Sequence, residues 1–205
     1  MDPTHLLLKD HFQRSFAAAG LPVPAGVFEA LAARYSEPSR VYHSLQHIAE
    51  GISHLKTVRT VPPEIPIAWW FHDAIVDPRR SDNEAKSAAW AKAVLGAVPL
   101  AAQVERAILA TKPGALAADP GQRLIADIDL AILAAPEPRF SEAAAQIRQE
   151  YAFLDEPAYR ALRLQILRGF TARAYIYRSP EFRSLETRAR KNLERSINAL
   201  LTAKP

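Results

Sequence analysis

Ile65-Pro66-Ile67-Ala68-Trp69-Trp70-Phe71-His72-Asp73 is the stretch on which the reading of this chain turns. Its apolar run predicts a helix over 65–74 that ends in an imidazole and a carboxylate. An aspartate directly after two tryptophans and a phenylalanine is costly to bury unless something pairs with it, and a metal ion is such a partner. Working outward, His47 lies upstream, and an Asp-x-Asp pair, Asp127 and Asp129, lies downstream. Imidazole and carboxylate are ordinary ligands of divalent first-row metals. Three separated segments thus each bring ligand-type residues on apolar backgrounds.

The same helical pattern runs through nearly the whole chain of 205 residues. Alanine and leucine are abundant, glycine is scarce, and the 16 prolines fall mainly between periodic segments. Helices are expected at about 4–19, 25–35, 43–57, 65–74, 82–96, 100–111, 121–134, 141–153, 157–176 and 180–202. Ser179-Pro180-Glu181 reads as the start of the last one, with a capping serine and proline in the first turn. No alternating run, repeat or linker stands out. The expected fold is all-α: one helical domain over 1–205, with a motif core at about 35–135 and basic helices at about 141–202.

Composition narrows the function classes. The chain has no cysteine, which excludes disulfides and thiolate metal sites and makes a cytoplasmic location the expectation. No window approaches the apolar length of a membrane span, and the N-terminal apolar stretch is too short for a signal-peptide core. Charge is uneven. Residues 156–205 carry 11 Lys/Arg against 4 Asp/Glu, whereas residues 1–155 carry 15 against 18. A basic end suits phosphate or nucleic acid. The competing and favoured reading is a solvated face with opposite-sign neighbours such as Glu186 and Arg190.

Side-chain spacing sorts the site candidates. His43 and His47 are four apart and share a face if 43–57 is helical. Asp127 and Asp129 point about 200° apart on a helix, so only one of them faces a given site. Asp129 has the more apolar surroundings and is the expected ligand. Asp127 is either a surface partner of Arg123 or a carboxylate that orients a ligand or a water. Glu84 closes Ser81-Asp82-Asn83-Glu84, which fits a capping box; its rival role is to position water or pass a proton. Asp77, four past Asp73, is a second candidate for that task. Arg40 and Lys112, each in a loop, are suited to phosphate, and His43 joins them as a substrate-side residue.

Taken together, these motifs resemble the HD superfamily of metal-dependent phosphohydrolases, and within it a branch of predicted HD-type hydrolases of about this length. The likeness is carried by Tyr35-Ser-Glu-Pro-Ser-Arg-Val-Tyr-His-Ser-Leu-Gln-His-Ile48, Trp70-Phe-His-Asp-Ala-Ile-Val-Asp-Pro78, Asn83-Glu84-x-x-Ser87-Ala88 and Asp127-Ile-Asp-Leu-Ala-Ile-Leu133. Weaker likeness reaches Ile147-Arg148, Ile176-Tyr177 and the segment from Glu186 to Leu193. The resemblance implies an all-α domain with one metal held by His47, His72, Asp73 and Asp129. One departure is that Lys112-Pro113-Gly114 lacks the histidine that relatives tend to carry after the threonine, which argues against a second metal and a di-iron oxygenase.

The expected function is a metal-dependent phosphohydrolase acting on a phosphomonoester or phosphoanhydride of a small molecule, with a nucleotide as the favoured class. The cofactor is one divalent ion from among Mn, Fe, Co, Ni, Zn and Mg. No membrane partner is expected. The alternative is a non-enzymatic helical adaptor that binds RNA or protein through the basic C-terminal helices.

Overall fold

The computed structural model describes residues 3–202, and among them every regular element is helical. The α-helices are α1 (Pro3–Ala18), α2 (Val27–Tyr35), α3 (Leu45–Leu55), α4 (Glu64–Phe71), α5 (Asn83–Leu95), α6 (Pro99–Leu109), α7 (Pro120–Asp129), α8 (Glu137–Glu150), α9 (Glu156–Thr171) and α10 (Glu186–Thr202). Two 3-10 segments, Leu130–Ala134 and Pro180–Leu185, precede α8 and α10. No helix among the described residues is long and apolar enough to cross a membrane. Backbone contacts group the chain into two compact units, one ending at Ala126 and one starting at Asp127.

The first unit is built around α4. Ile65, Ile67, Ala68, Trp69, Trp70 and Phe71 are all buried. A helix apolar around its circumference belongs inside a core, and α4 packs against α1, α3, α5 and α6. Each fully buried side chain of this kind contributes about 1.5–3 kcal/mol. Phe12 and Phe28 meet the Trp70 ring edge-on, with centroids 5.5 and 5.9 Å away. The Tyr35 hydroxyl donates to the Trp70 carbonyl at 3.0 Å. That carbonyl lies in the last turn of α4, where helical partners run out.

Helix caps depart from the sequence reading in a consistent way. The first residue outside α5 is Asp82, with no side-chain cap, so the Ser81–Glu84 capping box does not form. A reciprocal cap occurs instead at the start of α7. Asp119 Oδ1 accepts from the Gln122 backbone N–H at 2.8 Å, and Asp119 Oδ2 from the Gln122 side-chain amide at 2.7 Å. Gln122 Oε1 in turn accepts from the Ala118 N–H at 2.9 Å. Three donors and acceptors are satisfied at once, which is what such a box achieves.

In the second unit α10 packs on α9 and on Leu130–Ala134. Asn192, buried on α10, donates to the Leu133 and Ala135 carbonyls at 2.9 and 3.0 Å and closes off the 3-10 segment. Helix α9 stops at Thr171 rather than 176 because the following backbone has partners elsewhere. Arg190 donates to the carbonyls of Thr171, Arg173 and Ala174, while Glu186 accepts from the N–H groups of Ile176 and Tyr177. Ser179 precedes the Pro180 turn as expected but does not cap it: its hydroxyl donates to Asp127.

Candidate metal centre

α3 and α4 deliver the two histidines. His47 is in the first turn of α3, on the face that also carries Ile48, Gly51, Ile52 and Leu55, all buried. His72 directly follows α4. The two helices are locked by Trp69, whose Nε1–H donates to the Ile48 carbonyl at 3.0 Å. Gly51 makes room for that indole: a Cβ there would sit 1.9 Å from Trp69 Cζ2. The His72 ring stacks on Trp69 at 4.2 Å, and the His47 ring lies 5.0 Å from it.

Three ligand atoms converge as a result. His47 Nε2 and His72 Nε2 are 3.1 Å apart. Asp73 Oδ2 is 3.1 Å from His72 Nε2 and 3.6 Å from His47 Nε2. Donors bound about 2.1 Å from one ion at tetrahedral or right angles are about 3.0–3.4 Å from each other. Two of the three separations fall in that range and the third, His47 to Asp73 at 3.6 Å, lies slightly above it, so a small closure of the group accommodates a shared ion. His72 Nδ1 lies 2.9 Å from the Trp69 carbonyl, so Nδ1 carries the proton and Nε2 is left with its lone pair toward the cluster. His47, His72, Asp73 and Asp129 each offer one ligand atom, all within 4.8 Å of one another, and this group is able to hold a metal ion.

The electrostatics favour positive charge at this point. Burial by itself pushes the Asp73 carboxyl up. Positive charge on the imidazoles of His72, His43 and His47, which they carry only when protonated and not in the neutral form that binds a metal, outweighs that and holds it below the usual carboxylate range. A carboxylate with a side chain only 17% exposed is thus kept ionised by its neighbours. A divalent ion serves the same end with a larger charge.

The remaining candidates are distributed differently from the sequence expectation. α3 begins at Leu45, so His43 precedes it and shares no helical face with His47; its ring still lies 6.0 Å from that of His47. Arg40, expected at a phosphate, is buried. Its guanidinium donates to the Asp73 carbonyl and, at 2.9 Å, to that of Ala74, and its Nε faces Glu37 Oε2 at 3.4 Å. It clamps the turn that carries the His-Asp dipeptide. Lys112 is exposed, with Nζ 3.2 Å from the Ser81 carbonyl. Asp77 Oδ1 accepts from the Arg79 N–H at 2.9 Å and shapes the loop.

Asp127 is neither a partner of Arg123, which donates to the Ala118 carbonyl, nor turned toward a ligand. Its Oδ2 accepts from the N–H groups of Arg178 and Ser179 and from the Ser179 hydroxyl. Burial raises its pKa despite those bonds.

The Asn83-Glu84-x-x-Ser87 motif divides by role. Asn83 exchanges hydrogen bonds with the Asp77 backbone at 3.1 and 2.9 Å. Ser87 Oγ accepts from the Ile75 N–H at 3.0 Å. Both staple the segment after the His-Asp dipeptide onto α5. Glu84, half-buried in the first turn of α5, makes no hydrogen bond or ion pair among the described residues. The roles of Gly51, Trp69 and Arg40 escape a sequence reading; a glycine inside an otherwise helical pattern is the one local signal of the close approach. No family model, curated protein or solved structure matches the chain.

Proposed function

We propose that this protein is a metal-dependent phosphohydrolase acting on a phosphomonoester or phosphoanhydride, with nucleotides as the substrate class. The observation that carries the reading is the convergence of His47 Nε2, His72 Nε2 and Asp73 Oδ2 at ligand spacing, with Asp129 in reach. The order His, His-Asp, Asp and the resemblance to the HD superfamily point the same way. A divalent ion held there supplies Lewis acidity, lowering the pKa of water and polarising a phosphoryl oxygen.

The chain's own residues do the rest. Trp69 fixes the two imidazoles, and Arg40 fixes the turn behind Asp73. Glu84, whose side chain has no hydrogen-bond partner or ion pair among the described residues, positions water or donates a proton to the leaving group. Lys112, on an exposed loop, offsets phosphate charge together with His43. Arg40 leaves the substrate-binding set, because a buried guanidinium bonded to carbonyls is not offered to a ligand.

Elemental analysis of protein purified without chelator, together with phosphate release from nucleoside mono-, di- and triphosphates under each candidate metal, tests the reading. Bound metal and turnover are expected, both lost in Asp73→Ala with the helical circular dichroism retained. Full metal occupancy in that variant, or no phosphate release with any of the metals, sinks it.

A further inference from the structure

The segment Ala172–Ser179 joins α9 to the Pro180 turn and contains no helix, yet it is tightly held. Arg190 takes its carbonyls at Arg173 and Ala174, Glu186 its N–H groups at Ile176 and Tyr177, and Asp127 those at Arg178 and Ser179. Ile176, Tyr177 and Ser179 are turned inward and buried. What remains outside is basic and aromatic. Tyr175 is 61% exposed, with the Arg183 guanidinium 5.6 Å from its ring centroid. The Arg173 guanidinium packs on Phe170 at 4.7 Å, and partial burial first, then the neighbouring charge of Arg178, disfavours its charged form.

The expected solvated face with opposite-sign neighbours holds for Glu186 and Arg190, which pair at 2.7 Å, but it does not extend to the whole segment. Residues 168–191 carry seven Lys/Arg against two Glu. One of the two, Glu186, is engaged by Arg190 at 2.7 Å and by backbone N–H groups. The side chains of Arg173, Arg178 and Arg183 make no ion pair among the described residues. Arg178 also feels the Asp127 carboxylate, whereas Arg173 and Arg183 rest on the rings of Phe170 and Tyr175 without an ion pair among the described residues, and a polyanion with flat faces supplies the missing negative charge.

We infer that this pinned segment is a binding surface for single-stranded nucleic acid, with a base stacked on Tyr175 and phosphates on Arg173, Arg178 and Arg183. Aromatic platforms interleaved with guanidinium groups bind single strands by stacking and charge, with little sequence preference. A rigid backbone limits the ordering lost on binding. The inference does not depend on the metal centre.

The test is fluorescence anisotropy of the full-length protein with short labelled RNA and DNA single strands and a matched duplex. EDTA is present throughout, so that metal and hydrolysis play no part. Binding is expected to weaken steeply between about 50 and 200 mM salt. The triple change Arg173→Ala, Arg178→Ala and Arg183→Ala is expected to reduce the single-strand salt slope by about 2. Tyr175→Ala is expected to weaken binding roughly tenfold or more without changing the slope, and Tyr175→Phe to retain it. Arg14→Ala, an exposed residue of α1 paired with Asp10, serves as the charge-loss control and leaves binding unchanged. Absence of binding at low salt, equal affinity for the duplex, indifference to Tyr175→Ala, or equally strong competition by polyglutamate overturns the inference. The last of these identifies an acidic protein as the partner.

Discussion

Single residues separate holding the metal from building the fold. Asp129 belongs to the group that could hold a metal ion, whereas Asp127 accepts three hydrogen bonds from Arg178 and Ser179. Asp129→Asn is therefore expected to abolish metal binding in a calorimetric titration with little change in the stability of the apoprotein. Asp127→Asn is expected to leave metal affinity near wild type and to lower unfolding stability in urea by about 1–3 kcal/mol, since it weakens buried charge-assisted bonds. The reverse pattern means that the ligand assignment is inverted. Glu84→Gln keeps size and removes charge. With no cap to lose, stability should fall by no more than the roughly 0.3–1 kcal/mol of an acid at a helix N-terminus, and turnover should fall by roughly 10²–10⁴-fold; unaltered turnover removes Glu84 from the chemistry. Arg40→Lys replaces a fork that reaches two carbonyls and a carboxylate by a single ammonium. Metal dissociation constants are expected to rise about 10–100-fold, as for other groups that orient ligands from behind. Unchanged affinity shows that the turn holds itself.

At the scale of elements, the contact between α3 and α4 sets the centre. Trp69 lies across the α3 backbone at Gly51, and both histidines pack on its indole. Gly51→Ala places a methyl group where the ring stands. The indole is buried and hydrogen-bonded to Ile48, so it has no easy escape. The expected destabilisation is at the upper end for overpacking, about 3 kcal/mol, read from denaturant midpoints at unchanged slope. A near-neutral Gly51→Ala shows that α3 shifts freely, and that the histidine spacing is not enforced by this contact.

For the whole molecule, a bound ion adds its binding free energy to folding. At a metal concentration a hundred times the dissociation constant, the gain is about 2.7 kcal/mol. For a chain of this length that corresponds to a rise in Tm of roughly 5–10 °C. Thermal scans with and without EDTA should show that difference in wild type and lose it in Asp73→Ala. An equal response in the two proteins places the ion elsewhere.

Sequence alone determined the all-α class and most helix positions, because these follow from local periodicity and proline punctuation. It also drew attention to the His72-Asp73 dipeptide, His47 and the Asp127/Asp129 pair as ligand-type side chains on apolar backgrounds, and the family resemblance implied the set His47, His72, Asp73 and Asp129, which the fold brings within 4.8 Å. Tertiary structure decided what pairs with what. Ser81–Glu84 looked like a cap, yet the reciprocal cap formed at Asp119–Gln122, since caps depend on where the chain enters a helix rather than on residue type. His43 looked helical, yet α3 starts at Leu45. Arg40 looked like a phosphate ligand, yet Glu37 and the carbonyls of Asp73 and Ala74 surround it. Helix α9 stopped at Thr171, short of what its periodicity allows, because Arg190 and Glu186, more than ten residues further on, offered the backbone other partners. Hydrogen-bond partners distant in sequence leave no periodic trace, and it is they that fixed the turn behind Asp73 and the exposed basic segment.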